Sequence, residues 1–174
     1  RAAELTQALG LDQPIHVQYW NYVTRIAQGE FGPSTGVLPG RDSFDLFLTR
    51  FPATIELSIL AMLLAVTVGI PLGYFAARRK NSWLDNLSVM GSLVGVAVPV
   101  FFLAFMLKHW FAVELQWLPV SGRQDPTTDA TRVTGFFVLD GILTQEWDAA
   151  WDAFRHLILP AVALASIPFA VIFR

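Results

Sequence analysis

Two long apolar runs separated only by the stretch Arg78–Asn86 constrain this chain more than any other feature. The first extends from about Thr54 to Ala77 and holds one charge, Glu56. As a helix rising ~1.5 Å per residue it is roughly 36 Å long, more than the ~30 Å hydrocarbon core of a bilayer. The second extends from about Leu87 to Val113, with Lys108 and His109 near its far end. A third run starts at His156 and continues to Arg174, about 18 residues and the low end for a span. Any one of these alone is compatible with a buried helix of a soluble protein. Two in close succession argue for an all-α fold, a polytopic transmembrane helical bundle. Composition agrees: 15% of residues are charged, against about 25% in soluble domains. A net charge of −2 supplies no basic field for nucleic acid, and the lack of cysteine excludes a disulfide framework or a thiolate metal site.

Charge placement orients the spans. Arg78–Asn86 carries three basic residues and one acidic residue; residues 1–53 carry four and five, and Glu114–Arg155 three and seven. Lys and Arg collect in short cytoplasmic loops. Arg78, Arg79 and Lys80 are therefore cytoplasmic topology anchors. The expected order is an external segment 1–53, a span 54–77, a cytoplasmic loop 78–86, a span 87–113, an external loop 114–155 and a span 156–174. Arg1 and Arg174 read as the ends of a stretch internal to a longer chain, with an earlier span before Arg1.

The external segments carry helix signals. Asp12 reads as an N-cap with Pro14 in the first turn, ahead of Ile15, Tyr19, Tyr22, Val23 and Ile26 at helical spacing. Glycines and prolines from Gly29 to Gly40 break regular structure. Asp42 or Ser43 is expected to cap a short helix carrying Phe44, Phe47, Leu48 and Phe51, which Pro52 ends or bends. Trp147, Trp151 and Phe154 mark an amphipathic stretch, read equally as sitting at lipid headgroup level or packing on neighbouring loops.

Within the spans, Gly69 with Gly73 and Gly91 with Gly95 form G-x-x-x-G pairs, which let helix backbones approach. Pro71, Pro99, Pro160 and Pro168 each remove a helical hydrogen bond and bend a span. These positions are packing or hinge candidates, and bends at membrane depth need neighbouring helices to satisfy the freed carbonyls. Glu56 and Lys108 are the charges inside spans, both near external ends. Snorkelling without pairing is the favoured reading; the alternative places the two side by side. His16, His109 and His156 are scattered without ligand spacing, so no metal site is expected. No nucleophile elbow or P-loop occurs, so catalytic and cofactor-binding residues are expected to be absent.

The run Leu9-Gly-Leu-Asp-Gln-Pro14, then Gln18-Tyr19 and Gly29-Glu-Phe-Gly32, resembles the external segment of bacterial dipeptide/oligopeptide ABC-transporter permeases. Arg50-Phe-Pro-Ala-Thr-Ile-Glu-Leu57 resembles that family's entry into its second span. Gly69-Ile-Pro-Leu-Gly73, Ala76-Ala-Arg-Arg-Lys80 and Ser82-Trp-Leu-Asp85 resemble its first cytoplasmic turn. Trp117-Leu-Pro-Val-Ser-Gly122 and Arg155-His-Leu-Ile-Leu-Pro160 resemble its second external loop and fourth span. The resemblance implies a type I importer permease of about six spans, of which this chain holds the second, the third and most of the fourth. It lacks the first span, the coupling loop and the last spans. The implied activity is import of di- or oligopeptides at the bacterial inner membrane. The implied partners are a second permease, two cytoplasmic ATPase subunits that carry ATP and Mg, and an external binding protein. The subunit itself is no enzyme. Competing readings are a permease for nickel or another small solute, a membrane assembly subunit that transports nothing, and an intramembrane enzyme.

Overall fold

Pro14 opens the first helix. Its backbone is extended (φ −57°, ψ 144°) and its carbonyl accepts from the N–H groups of Val17 at 2.9 Å and Gln18 at 3.1 Å. Helix α1, Ile15–Ala27, follows, so Pro14 precedes the first turn instead of lying in it. The computed structural model describes residues 13–34, 36, 38–78, 83, 86, 89–91, 93 and 97–173. Asp12, Arg79, Lys80 and Gly95, singled out in the sequence, lie outside them. Contacts divide the chain into two units, Arg1–Phe51 and Pro52–Arg174.

In the first unit, α1 ends where Gly29 donates to Ile26 O at 2.9 Å with φ 83°, a left-handed cap that glycine adopts without strain. An antiparallel bridge joins Pro33 and Asp42. Asp42 is the N-cap that the sequence left open between two residues: its Oδ1 accepts from Phe44 N at 2.7 Å and Asp45 N at 3.3 Å. Phe31, Phe44, Phe47 and Phe51 stack in series at 5.1, 6.3 and 4.7 Å, which is the apolar face expected of this helix.

Helix α2, Ser43–Arg78, is continuous through Pro52 and Pro71. Of the two outcomes expected at Pro52, an end or a bend, the end is not found, and no separate helix starts at Thr54. A proline interior to a helix deletes one N–H donor, and the helix continues past both prolines. The same holds at the other end of the chain. Helix α5, Trp147–Phe173, includes Pro160 and Pro168, so the amphipathic Trp147–Phe154 stretch and the span expected from His156 are one helix.

The run expected over 87–113 departs furthest from expectation. Pro99 is not inside a helix. It is extended (φ −59°, ψ 132°) and starts α3, Val100–Leu107, because the residue before a proline is pushed out of the helical region. From Lys108 to Glu114 the chain widens into a π-helical turn. A short helix α4, Phe137–Leu143, then precedes α5.

Alanines make the core of the second unit. Ala61 and Ala65 of α2 cluster with Ala161 and Ala165 of α5, bordered by Leu57, Leu60, Leu64, Phe169 and Ile172. Gly69 continues the α2 stripe: a Cβ there would lie 3.1 Å from Ile172 Cγ2. Small residues one turn apart bring helix backbones close when lipid offers no hydrophobic drive. Ser43–Arg78 and Trp147–Ile172 are long and apolar enough to cross a membrane, yet only 17% and 22% of their most apolar stretches are buried. The core helix of a soluble protein is mostly covered, so these faces belong to lipid or to other helices.

Among the described glycines, Gly141 has the closest neighbours, where α4 meets α5. A Cβ on Gly141 would meet Ala150 N at 2.7 Å, its Cβ at 2.8 Å and its Cα at 2.9 Å. Two of these are backbone atoms and cannot rotate away. Gly141→Ala is therefore expected to destabilise the full-length protein by about 1–3 kcal/mol through overpacking, read as thermal unfolding in lipid nanodiscs. Unfolding unchanged from wild type would contradict this packing.

Candidate functional site

Glu56 sits near the point where α2 meets the segment between α3 and α5, with its side chain 11% exposed. Its Oε1 accepts from Val138 N at 2.8 Å; its Oε2 accepts from Phe137 N at 3.3 Å and from Arg123 Nη2 at 3.2 Å. Phe137 and Val138 open α4, and the first N–H groups of a helix have no partner within it. A carboxylate from α2 thus caps α4, where the helix dipole also favours negative charge.

Arg123 completes the anchor. It donates to Gly135 O at 3.0 Å, and its guanidinium carbon lies 3.7 Å from the centre of the Phe137 ring. Arg132 approaches the same ring at 3.4 Å. Such cation–π contacts strengthen as water is excluded. Arg132 also donates to Gln124 Oε1, and Gln124 Nε2 donates to Ala149 O at 3.0 Å. The segment between the π-helical turn and α5 is therefore a structured cap, tied to α2 at Glu56 and to α5 at Ala149.

Asp140 holds the cap from inside. It is fully buried. Its Oδ1 accepts from Thr134 N at 2.8 Å and Thr134 Oγ1 at 2.6 Å, and its Oδ2 from Gly135 N at 3.0 Å. Burial pushes its carboxyl up, but the hydrogen bonds from Thr134, Gly135 and Val133 outweigh that and leave it below the ordinary carboxylate value. Two further acids are used the same way. Glu146 accepts from Thr131 N at 2.9 Å and Oγ1 at 2.8 Å. Asp152 accepts from Asp125 N at 2.7 Å. Asp125 in turn binds the Thr127 hydroxyl and N–H, which hold its carboxyl low. Much of the acidity of residues 114–155 is thus spent on closing its own turns.

The two charges singled out in the spans separate. Glu56 neither snorkels unpaired nor turns to Lys108; it takes Arg123, because a carboxylate this covered needs a desolvated partner and donors for its lone pairs. Lys108 starts the π-helical turn and lines a cavity with Ser121 and His156. Gly69 lies against α5, Gly73 is half-buried on α2, and no described atom falls within 4 Å of a Cβ built on Gly91. Pro71 and Pro160 lie inside α2 and α5. Arg78 ends α2 over the Tyr74 ring at 5.6 Å, where a cation complements the helix dipole. Trp147 and Trp151 lie in the first turns of α5, 64% and 61% exposed. Sequence reasoning missed Arg123 and Asp140. The signal for Asp140 was a lone acid inside Phe136-Phe-Val-Leu-Asp-Gly-Ile-Leu143, which cannot be buried without donors. No group of three or more metal-ligating side chains occurs among the described residues.

Lipid-length helices packed through small residues, with a polar cap at one end, define a helical membrane subunit. The chain belongs to the family of binding-protein-dependent transport system inner membrane components, whose model matches residues 69–174. It is an all-α protein of the bacterial inner membrane. It is 45% identical over 172 residues to the di/tripeptide transport system permease protein DppB of Pseudomonas aeruginosa, covering 99% of this chain and 51% of that protein. It is 41% identical, over 99% of this chain and 51% of the relative, to the dipeptide transport system permease protein DppB of Alkalihalophilus pseudofirmus. The glutathione transport system permease protein GsiC of Salmonella typhimurium is 33% identical over 99% of this chain and 46% of its own length. The chain spans about half the length of these curated relatives.

The lowered Asp140 carboxyl has a consequence for pH. Its stabilisation is fully present above the ordinary carboxylate pKa of about 3.9 and is lost as the pH falls through the lower folded value. Asp140→Asn places an N–H₂ donor among N–H donors. It is expected to cost about 1–3 kcal/mol at pH 7 and to flatten the loss of stability toward pH 3. An Asn variant with wild-type stability and pH profile would contradict the role given to Asp140.

Proposed function

We propose that this chain forms part of the permease subunit of an ATP-driven importer of di- and oligopeptides. The observation that carries the reading is the similarity to di/tripeptide and dipeptide permeases over 99% of the chain, spans and cap together. In this reading Ser43–Arg78 and Trp147–Phe173 form part of the wall of a path completed by a second permease. Two cytoplasmic ATPase subunits bind ATP and Mg and drive a bistable bundle between outward- and inward-facing states. The subunit performs no bond chemistry. The cap faces outward, where an external binding protein delivers peptide, and Arg78, Arg79 and Lys80 face the cytoplasm, as the bias of basic residues toward that side supports. Gly69 and Gly73 serve packing, and Pro71 and Pro160 bending, during that motion.

Deleting the gene in its host is expected to abolish uptake of radiolabelled dipeptide and to leave nickel uptake unchanged. Loss of nickel uptake with dipeptide uptake intact would favour the small-solute reading instead. In the full-length protein, removing residues 125–140 is expected to abolish stimulation of ATP hydrolysis by the liganded binding protein. Full stimulation without those residues would reject a docking role for the cap.

A further inference from the structure

A cavity of about 210 Å³ opens between α3, the middle of α5 and the loop leading to Arg123. Its polar groups are Lys108, Ser121 and His156; Ala104, Leu159 and Pro160 are among its apolar walls. Lys108 stands where α3 widens into the π-helical turn, closed by Leu115 N donating to Trp110 O at 2.9 Å. Insertions of this kind are rare and occur often at functional sites, because they re-aim a side chain against its helix. No ion pair to Lys108 is found among the described residues. His156 is held by its own turn, with Nδ1 2.8 Å from Asp152 O and 3.5 Å from Asp152 Oδ1. Its Cδ2 lies 3.9 Å from the place of a Cβ on Gly122, so the absence of a side chain at Gly122 leaves that edge of the ring open. The wall of the cavity combines the cation of Lys108 with the hydroxyl of Ser121.

We infer that this cavity is a subsite for the carboxylate-bearing last residue of a peptide, an inference that rests on the peptide-import reading above. Two features match. Lys108 and Ser121 supply donors for a carboxylate. The volume exceeds the ~150 Å³ that takes a benzene and falls short of the ~300 Å³ at which sites begin to hold whole drug-sized ligands, so it takes one residue and not a whole peptide. A lipid phosphate offers the same negative oxygens, so the two sources are separated by vesicle composition.

The test uses the complete transporter with its binding protein in phosphatidylcholine vesicles and radiolabelled dialanine. Lys108→Met is expected to lower the kcat/KM of uptake by about tenfold, the loss of one charge-assisted hydrogen bond. Lys108→Arg is expected to restore most of it, with equal assembly of both variants by size exclusion. Wild-type uptake with Lys108→Met within twofold of it would overturn the subsite and leave the import reading standing. No dialanine uptake by wild type would overturn both. A Lys108 effect confined to vesicles containing phosphatidylglycerol would assign the anion to lipid and overturn the peptide subsite.

Discussion

A carboxylate inside a long apolar helix, 11% exposed, is stable only if the charge it cannot share with water is shared with protein donors. Glu56 meets that condition three times over, through Arg123 and two N–H groups of α4. The consequence reaches beyond the pair. Because the N–H groups belong to the first turn of α4, the carboxylate fixes where that helix starts. Because Arg123 also holds Gly135 O, it fixes the loop leading into α4. Asp140 then closes the same loop from within. One charge on a span thus decides whether the segment between α3 and α5 is an ordered cap or a loose connection.

The spans themselves follow a different economy. Their contacts are made by alanine and glycine, and their large side chains point outward, as Ile59, Leu63, Ile70 and Phe75 on α2 do. In lipid, burying a leucine gains little over leaving it among acyl chains, so close backbone approach and dispersion decide which faces meet. The prolines delete hydrogen bonds without ending α2 or α5.

The existence of the apolar helices was legible because length and charge depletion are local properties of sequence. So were Asp42 as a cap and the aromatic face of Phe44, Phe47 and Phe51. Their ends were less legible. Pro52 reads as an end or a bend in isolation, and the helix continues through it. Pro99 reads as a kink, yet the backbone turns extended there and starts a new helix. Arg123 as the partner of Glu56 lay beyond reach, since the two are brought together only when the cap folds back on α2. The stripe Ala61, Ala65, Gly69 was readable as an extension of the glycine pair, had alanine been counted among the small residues.

The coupling between Glu56 and Arg123 is the quantity on which the cap depends. A double-mutant cycle with Glu56→Gln and Arg123→Met, read as thermal stability of the full-length protein in nanodiscs, measures it directly. A covered charge pair of this kind is expected to couple by about 1.5 kcal/mol or more, with the double variant less impaired than the sum of the singles. Additive effects, with coupling near zero, would contradict the anchor and the ordered cap built on it.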